Sequence, residues 1–202
     1  DTAYQLFQSI KSAALQQEAL YNLAIGFAKN ADSEGLDNVL DLIAEDDFKD
    51  KALHDSVQEF AKLGLAEEAV DYALSIKNYS LYESALIEAA AYLGASDNTS
   101  FVILKLQQIN EVDLFNKCLE NYSYSLVKNL KSNDIEKVQE YIKDNELKQV
   151  ILLNSLKLLV ETNQFNKIEP FENKIRTKKD MALFLLSYSK KVYDEELIEY
   201  YD

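Results

Sequence analysis

The stretch SLYESALIEAAAYLG, residues 80–94, has the apolar spacing of an amphipathic helix. Thirty-three residues earlier, from Asp47, the chain reads DFKDKALHDSVQEFAKLG, and thirty-three later, from Asp113, it reads DLFNKCLENYSYSLV. Stepping by thirty-three from Leu20 meets Leu53, Leu86, Leu119, Leu152 and Leu185 with no insertion or deletion between them. Ile10, Ile43, Ile76, Ile109, Ile142 and Ile175 form a second ladder, and Phe27, Phe60, Leu93, Leu126, Leu159 and Val192 form a third. Weaker ladders agree: Leu15, Phe48, Leu81, Leu114 and Leu147 on one side, Leu36, Ala69, Val102, Ile135 and Ile168 on the other. A period held this long makes the opening stretch one copy of a recurring unit.

Each unit reads as two helices. Leu53, Val57, Phe60 and Ala61, then Ala69, Tyr72, Ala73 and Ile76, follow helical apolar spacing. Ser80 with Glu83 has the form of a capping box at the start of the first helix, and Asp47 with Asp50, Asp113 with Asn116 and Glu146 with Gln149 are looser versions. Short polar turns at 62–66, 94–100, 130–135 and 161–165 leave room only for antiparallel neighbours. A hairpin with one apolar stripe per helix cannot bury both stripes alone, so successive hairpins must stack and share a core. The expected fold is therefore all-α, a right-handed αα-superhelix or solenoid of about six hairpins. The units run 14–46, 47–79, 80–112, 113–145, 146–178 and 179–202, with a partial unit at 1–13, in one domain over 1–202. Both ends fall within a unit without polar capping, which leads us to expect a segment of a longer protein. Pro170, inside the second helix of the fifth unit by register, is expected in that helix's first turn, where its missing amide does no harm.

The segment AKLGLAEEAVDYAL, residues 61–74, resembles the tetratricopeptide-like superfamily of αα-hairpin repeats, as does the period. Leu53 takes that pattern's large position, Phe60 its aromatic and Ala69 its small one, whereas Val57 stands where glycine is the rule and Leu81 near where proline is. Ankyrin repeats share the period, but their Thr-Pro-Leu-His turn is absent; HEAT-like stacks are not separated from this pattern. The resemblance implies that first helices line a groove for a partner peptide or helix. The positions one turn apart on them are Tyr21 and Ile25, His54 and Gln58, Ile87 and Ala91, Glu120 and Tyr124, and Leu153 and Lys157.

Composition narrows the function classes. Four glycines and one proline in 202 residues argue against a sheet built on tight turns. One cysteine, Cys118, rules out a disulfide framework and points to a reducing, cytoplasmic setting. No apolar run is long enough to span a membrane. The net charge of −14 sits mostly in residues 1–100, with 18 acidic and 6 basic side chains, an acidic surface that disfavours nucleic acid and favours a partner segment bearing Lys or Arg.

Chemistry-bearing residues are sparse. His54 and Cys118 fall two units apart, so no triad or zinc site joins them. Cys118 shares a small-residue position with Ala19, Ala52 and Ala85, which reads as a buried structural thiol. Glu45, Asp46, Asp47 and Asp50 lack the alternating ligands and glycine of a calcium loop and read as a solvated turn. Tyrosines on variable faces, Tyr21, Tyr82, Tyr92 and Tyr124, suit either contacts with a partner or packing between hairpins. The expectation is a non-enzymatic protein-interaction scaffold needing no cofactor. The alternative is an architectural spacer or the regulatory arm of a larger multidomain protein.

Overall fold

The computed structural model describes residues 10–168, 171, 174, 175, 177, 181–186 and 188–190. Among these residues all regular structure is helical and no strand occurs. Long helices α1 (Ala13–Lys29), α3 (Asp46–Lys62), α5 (Tyr79–Ala90), α7 (Val112–Lys128) and α9 (Asn145–Glu161) alternate with shorter ones, α2 (Ser33–Leu40), α4 (Ala66–Leu74), α6 (Thr99–Leu106) and α8 (Ile135–Tyr141). Single 3-10 turns lie at Leu93–Ala95, Ser132–Asp134 and Phe165–Lys167. Pro170, Val192, residues 1–9 and most of the sixth expected unit lie outside the described residues.

The thirty-three-residue spacing reappears in the backbone. The long helices are N-capped at Ser12, Glu45, Asn78, Glu111 and Asp144. Asn78 accepts the amides of Ser80 and Leu81, and Asp144 those of Glu146 and Leu147. The caps expected at Ser80, Asp47, Asp113 and Glu146 are thus corrected: those residues already lie inside the first turn. A short Asx side chain on extended backbone reaches amides two and three residues ahead, and at 78 and 144 that residue pre-empts the Ser/Glu signal downstream.

The turns closing the long helices repeat as well. Ala31, Gly64, Leu130 and Asn163 have φ of 57°, 76°, 61° and 58°, each thirty-three or sixty-six residues from the next. The residue after each donates its amide five residues back: Asp32 to Phe27 O at 3.0 Å, Leu65 to Phe60 O at 3.0 Å, Lys131 to Leu126 O at 2.8 Å and Gln164 to Leu159 O at 2.8 Å. This is the Schellman pattern that satisfies terminal carbonyls and reverses the chain. The break falls at 97, because α5 ends early and the 3-10 turn Leu93–Ala95 carries the chain across. There Gly94 donates its amide to Ser125 Oγ at 2.9 Å, and a Cβ on it would lie 2.4 Å from the Ser125 carbonyl, so only glycine fits.

Consecutive long helices pack on one another, α1 with α3, α3 with α5, α5 with α7 and α7 with α9, while α4 packs on α6 and α6 on α8. Leu20, Leu53, Leu86, Leu119 and Leu152 are all buried, as are Ile43, Ile76, Ile109 and Ile142. The stacking that the ladder implies predicts six leucines in equivalent buried sites, and Leu185 corrects it: this leucine is 49% exposed. The chain places no further described helix over it. Leu15, 56% exposed, is the matching exception at the other end of its ladder.

Polar side chains stitch one unit to the next. Tyr72 on α4 donates to Asp37 Oδ1 at 2.9 Å and to the Ser33 carbonyl on α2, and thirty-three residues on Lys105 of α6 pairs with Glu67 and Asp71 of α4. Asp50 is not the solvated residue expected of its acidic cluster. It is buried, and its carboxylate accepts the amides of Lys77 at 3.1 Å and Asn78 at 2.7 Å, holding the entry to α5.

Candidate partner-binding face

The candidate positions fall on the row of long helices, where neighbouring helices exchange side-chain hydrogen bonds. Tyr21 on α1 donates to Asp55 Oδ2 on α3. His54 lies with Nδ1 2.8 Å from Asp55 Oδ1 and Nε2 3.3 Å from Ser84 Oγ of α5. Ser84 in turn donates to Glu88 Oε1 at 2.7 Å, and Gln58 reaches the other oxygen of Glu88. Farther along, Tyr124 donates to Glu120 Oε1 at 2.6 Å and receives Asn154 Nδ2 of α9 at 3.0 Å. The hydrogen bond to Asp55, with burial and the same negative charge, pushes the Tyr21 phenol up to about 12; burial, then the bond to Glu120, also raises the Tyr124 phenol.

Three depressions open on this row. One, about 440 Å³, lies between α1 and α3 and is lined by Tyr21, Asn22, Ile25, Lys29, Asp55 and Gln58, with Gly26 and Glu59. A second, about 290 Å³, lies between α7 and α9 and is lined by Tyr124, Lys128, Asn154, Lys157, Leu158 and Glu161. Ile25, Lys29, Asp55, Gln58 and Glu59 map onto Tyr124, Lys128, Asn154, Lys157 and Leu158 by a step of ninety-nine residues, three units. The two are the same interhelical groove met twice. The third, about 360 Å³ and lined by Tyr21, Phe48, Lys51, His54, Asp55 and Leu81, lies toward the N-terminal ends of α3 and α5.

Of the ten candidates, Tyr21, Ile25, His54, Gln58, Tyr124 and Lys157 line one of these depressions. Ile87, Glu120 and Leu153 are half-buried on the same helices, Ala91 is half-buried at the cap just past the end of α5, and none of the four lines any of the three. Sequence reasoning passed over the next position along, held by Asn22, Asp55, Glu88, Asn121 and Asn154. Its signal was available: all five residues at that step are Asn, Asp or Glu, side chains able to bridge two helices.

Ser84, His54 and Asp55 stand in the order of a nucleophile, a base and an orienting acid, a juxtaposition the sequence reading did not anticipate. The Ser84 hydroxyl is committed to Glu88, however, and it projects from inside α5, whose amides are spent in the helix, so it has no backbone donor to stabilise an oxyanion. Cys118 is buried and free, and burial pushes its thiol up to about 12, which leaves it inert as a nucleophile. Among the described residues no group of His, Cys, Asp and Glu is arranged to hold a metal ion, and no helix is long and apolar enough to cross a membrane. Comparison with protein-family models, with curated proteins and with solved structures finds no match to this chain.

Proposed function

We propose that this chain is a non-enzymatic interaction scaffold, a right-handed αα-superhelix of the tetratricopeptide-like kind whose long helices receive an extended segment of a partner protein. The observation that carries the reading is the recurrence of one interhelical depression three units apart in the same register. A spacer needs helices that stack; it has no need of a repeated recess between them. The polar chain Tyr21–Asp55–His54–Ser84–Glu88–Gln58 supports the same reading, because it fixes side-chain positions along the face before any ligand arrives.

Obstruction of the face provides the test. Ala91 is the half-buried C-cap residue that follows α5, the long helix between the two equivalent depressions. Ala91→Arg should fill the path with a long side chain that projects outward, reducing capture of partner proteins by the immobilised chain about tenfold or more while moving the unfolding midpoint by no more than a few degrees. Unchanged capture by a folded Ala91→Arg protein would place binding elsewhere or leave the spacer reading standing.

A further inference from the structure

The equivalent depressions differ in charge: three residues in register make the second more positive than the first, and Glu161, which has no counterpart in the first lining, offsets part of that change. Asp55, Gln58 and Glu59 between α1 and α3 are replaced by Asn154, Lys157 and Leu158 between α7 and α9. The first site therefore holds two carboxylates and the one ammonium of Lys29, whereas the second holds the ammoniums of Lys128 and Lys157 and the one carboxylate of Glu161. Glu59 is already paired with Lys62 at 2.8 Å, and Asp55 accepts from Tyr21 and lies against His54. Neither Lys128 nor Lys157 is ion-paired among the described residues, so the second site is the more strongly polarised.

We infer that the face takes an extended polypeptide segment of a partner with a cationic side chain at one end, on the α1/α3 depression, and a carboxylate at the other, on the α7/α9 depression. This rests on the proposal that the face binds a partner segment, and adds the segment's charge pattern, its spacing and a single permitted direction. Packed helices lie about 8–10 Å apart, so three helix-to-helix steps span about 24–30 Å. An extended chain advances about 3.3 Å per residue, which separates the two charges by about seven to nine residues. Between them the segment passes α5, where the Glu88 carboxylate is held by Ser84 and Gln58, and the turn just after it, where Tyr92 lies exposed under the Lys62 ammonium. Reversing the segment would set like charges together at both ends, which excludes the opposite orientation.

A displayed library of random twelve-residue peptides, selected against the whole chain at low salt, reads this directly. Enriched sequences are expected to carry Lys or Arg and Asp or Glu seven to nine residues apart, always in the same order. The variant Asp55→Lys/Lys157→Glu is expected to enrich the reverse order, and Lys157→Glu alone should weaken the best wild-type peptide about tenfold, the effect of losing one charge pairing. Enrichment without that spacing, or the same order with the charge-swapped variant, overturns the inference and leaves the scaffold reading intact. No enrichment by a folded wild-type chain overturns both.

Discussion

Leu130 holds a φ of 61° with a side chain that is 70% exposed, at the point where α7 turns into the next segment. The left-handed region crowds the Cβ of a non-glycine residue at roughly 1–2 kcal/mol, and here almost no apolar burial offsets it. Gly64 occupies the equivalent place two units earlier with no such penalty. Leu130→Gly is therefore expected to stabilise the fold by about 1 kcal/mol, less a fraction for the freer unfolded chain, as read from urea unfolding midpoints. A lower midpoint would show that the side chain contributes more than its exposure suggests. This residue-scale fact was hidden in the sequence, where only glycine and asparagine advertise the conformation, as at 64 and 163, while alanine and leucine at 31 and 130 do not. Cys118 was the reverse case: its small-residue column with Ala19, Ala52 and Ala85 announced a buried thiol, and Cys118, Ala52 and Ala85 are buried while Ala19, on the first long helix, is half-buried.

At the scale of the element, helix existence and phase were legible and the helix caps were off by two residues. Apolar spacing reports which face is buried, but a cap is chosen by which side chain reaches the free amides, and Asn78 and Asp144 reach them before Ser80 or Glu146 can. Asp50 marks the limit of that reading. In the sequence it is one acidic residue among four; in the fold it is turned inward on α3 and supplies the acceptors for the amides of Lys77 and Asn78, which open α5. Asp50→Ala should strand both amides and destabilise by about 2–4 kcal/mol, whereas Asp47→Ala, exposed on the same helix, should change stability by less than about 0.5 kcal/mol. Equal effects in chemical denaturation would return Asp50 to the solvated cluster.

Across the whole molecule the leucine ladder makes its own test, since Leu86 is fully buried and Leu185 is 49% exposed at the same register position. Leu86→Asp places a carboxylate between α5 and its neighbours and should abolish cooperative unfolding, because an unpaired buried charge exceeds the stability of a marginally stable domain of ~5–15 kcal/mol. Leu185→Asp should leave the helical circular dichroism and the main transition nearly unchanged. If both variants unfold alike, Leu185 is buried in solution and the ladder runs on through the sixth unit. The sequence by itself determined the helical class, the thirty-three-residue register, the buried ladders and the row of helices on which the candidate face lies, because burial periodicity is a property of each segment's own side chains. Only the tertiary structure decided where the ladder ends, that Asp50 serves a helix start twenty-seven residues away, that Ser84 meets His54, and that one groove recurs with its charge inverted. Those depend on which side chains from different units come within hydrogen-bonding reach, and a pattern that repeats identically along the chain carries no information about the distances between its copies.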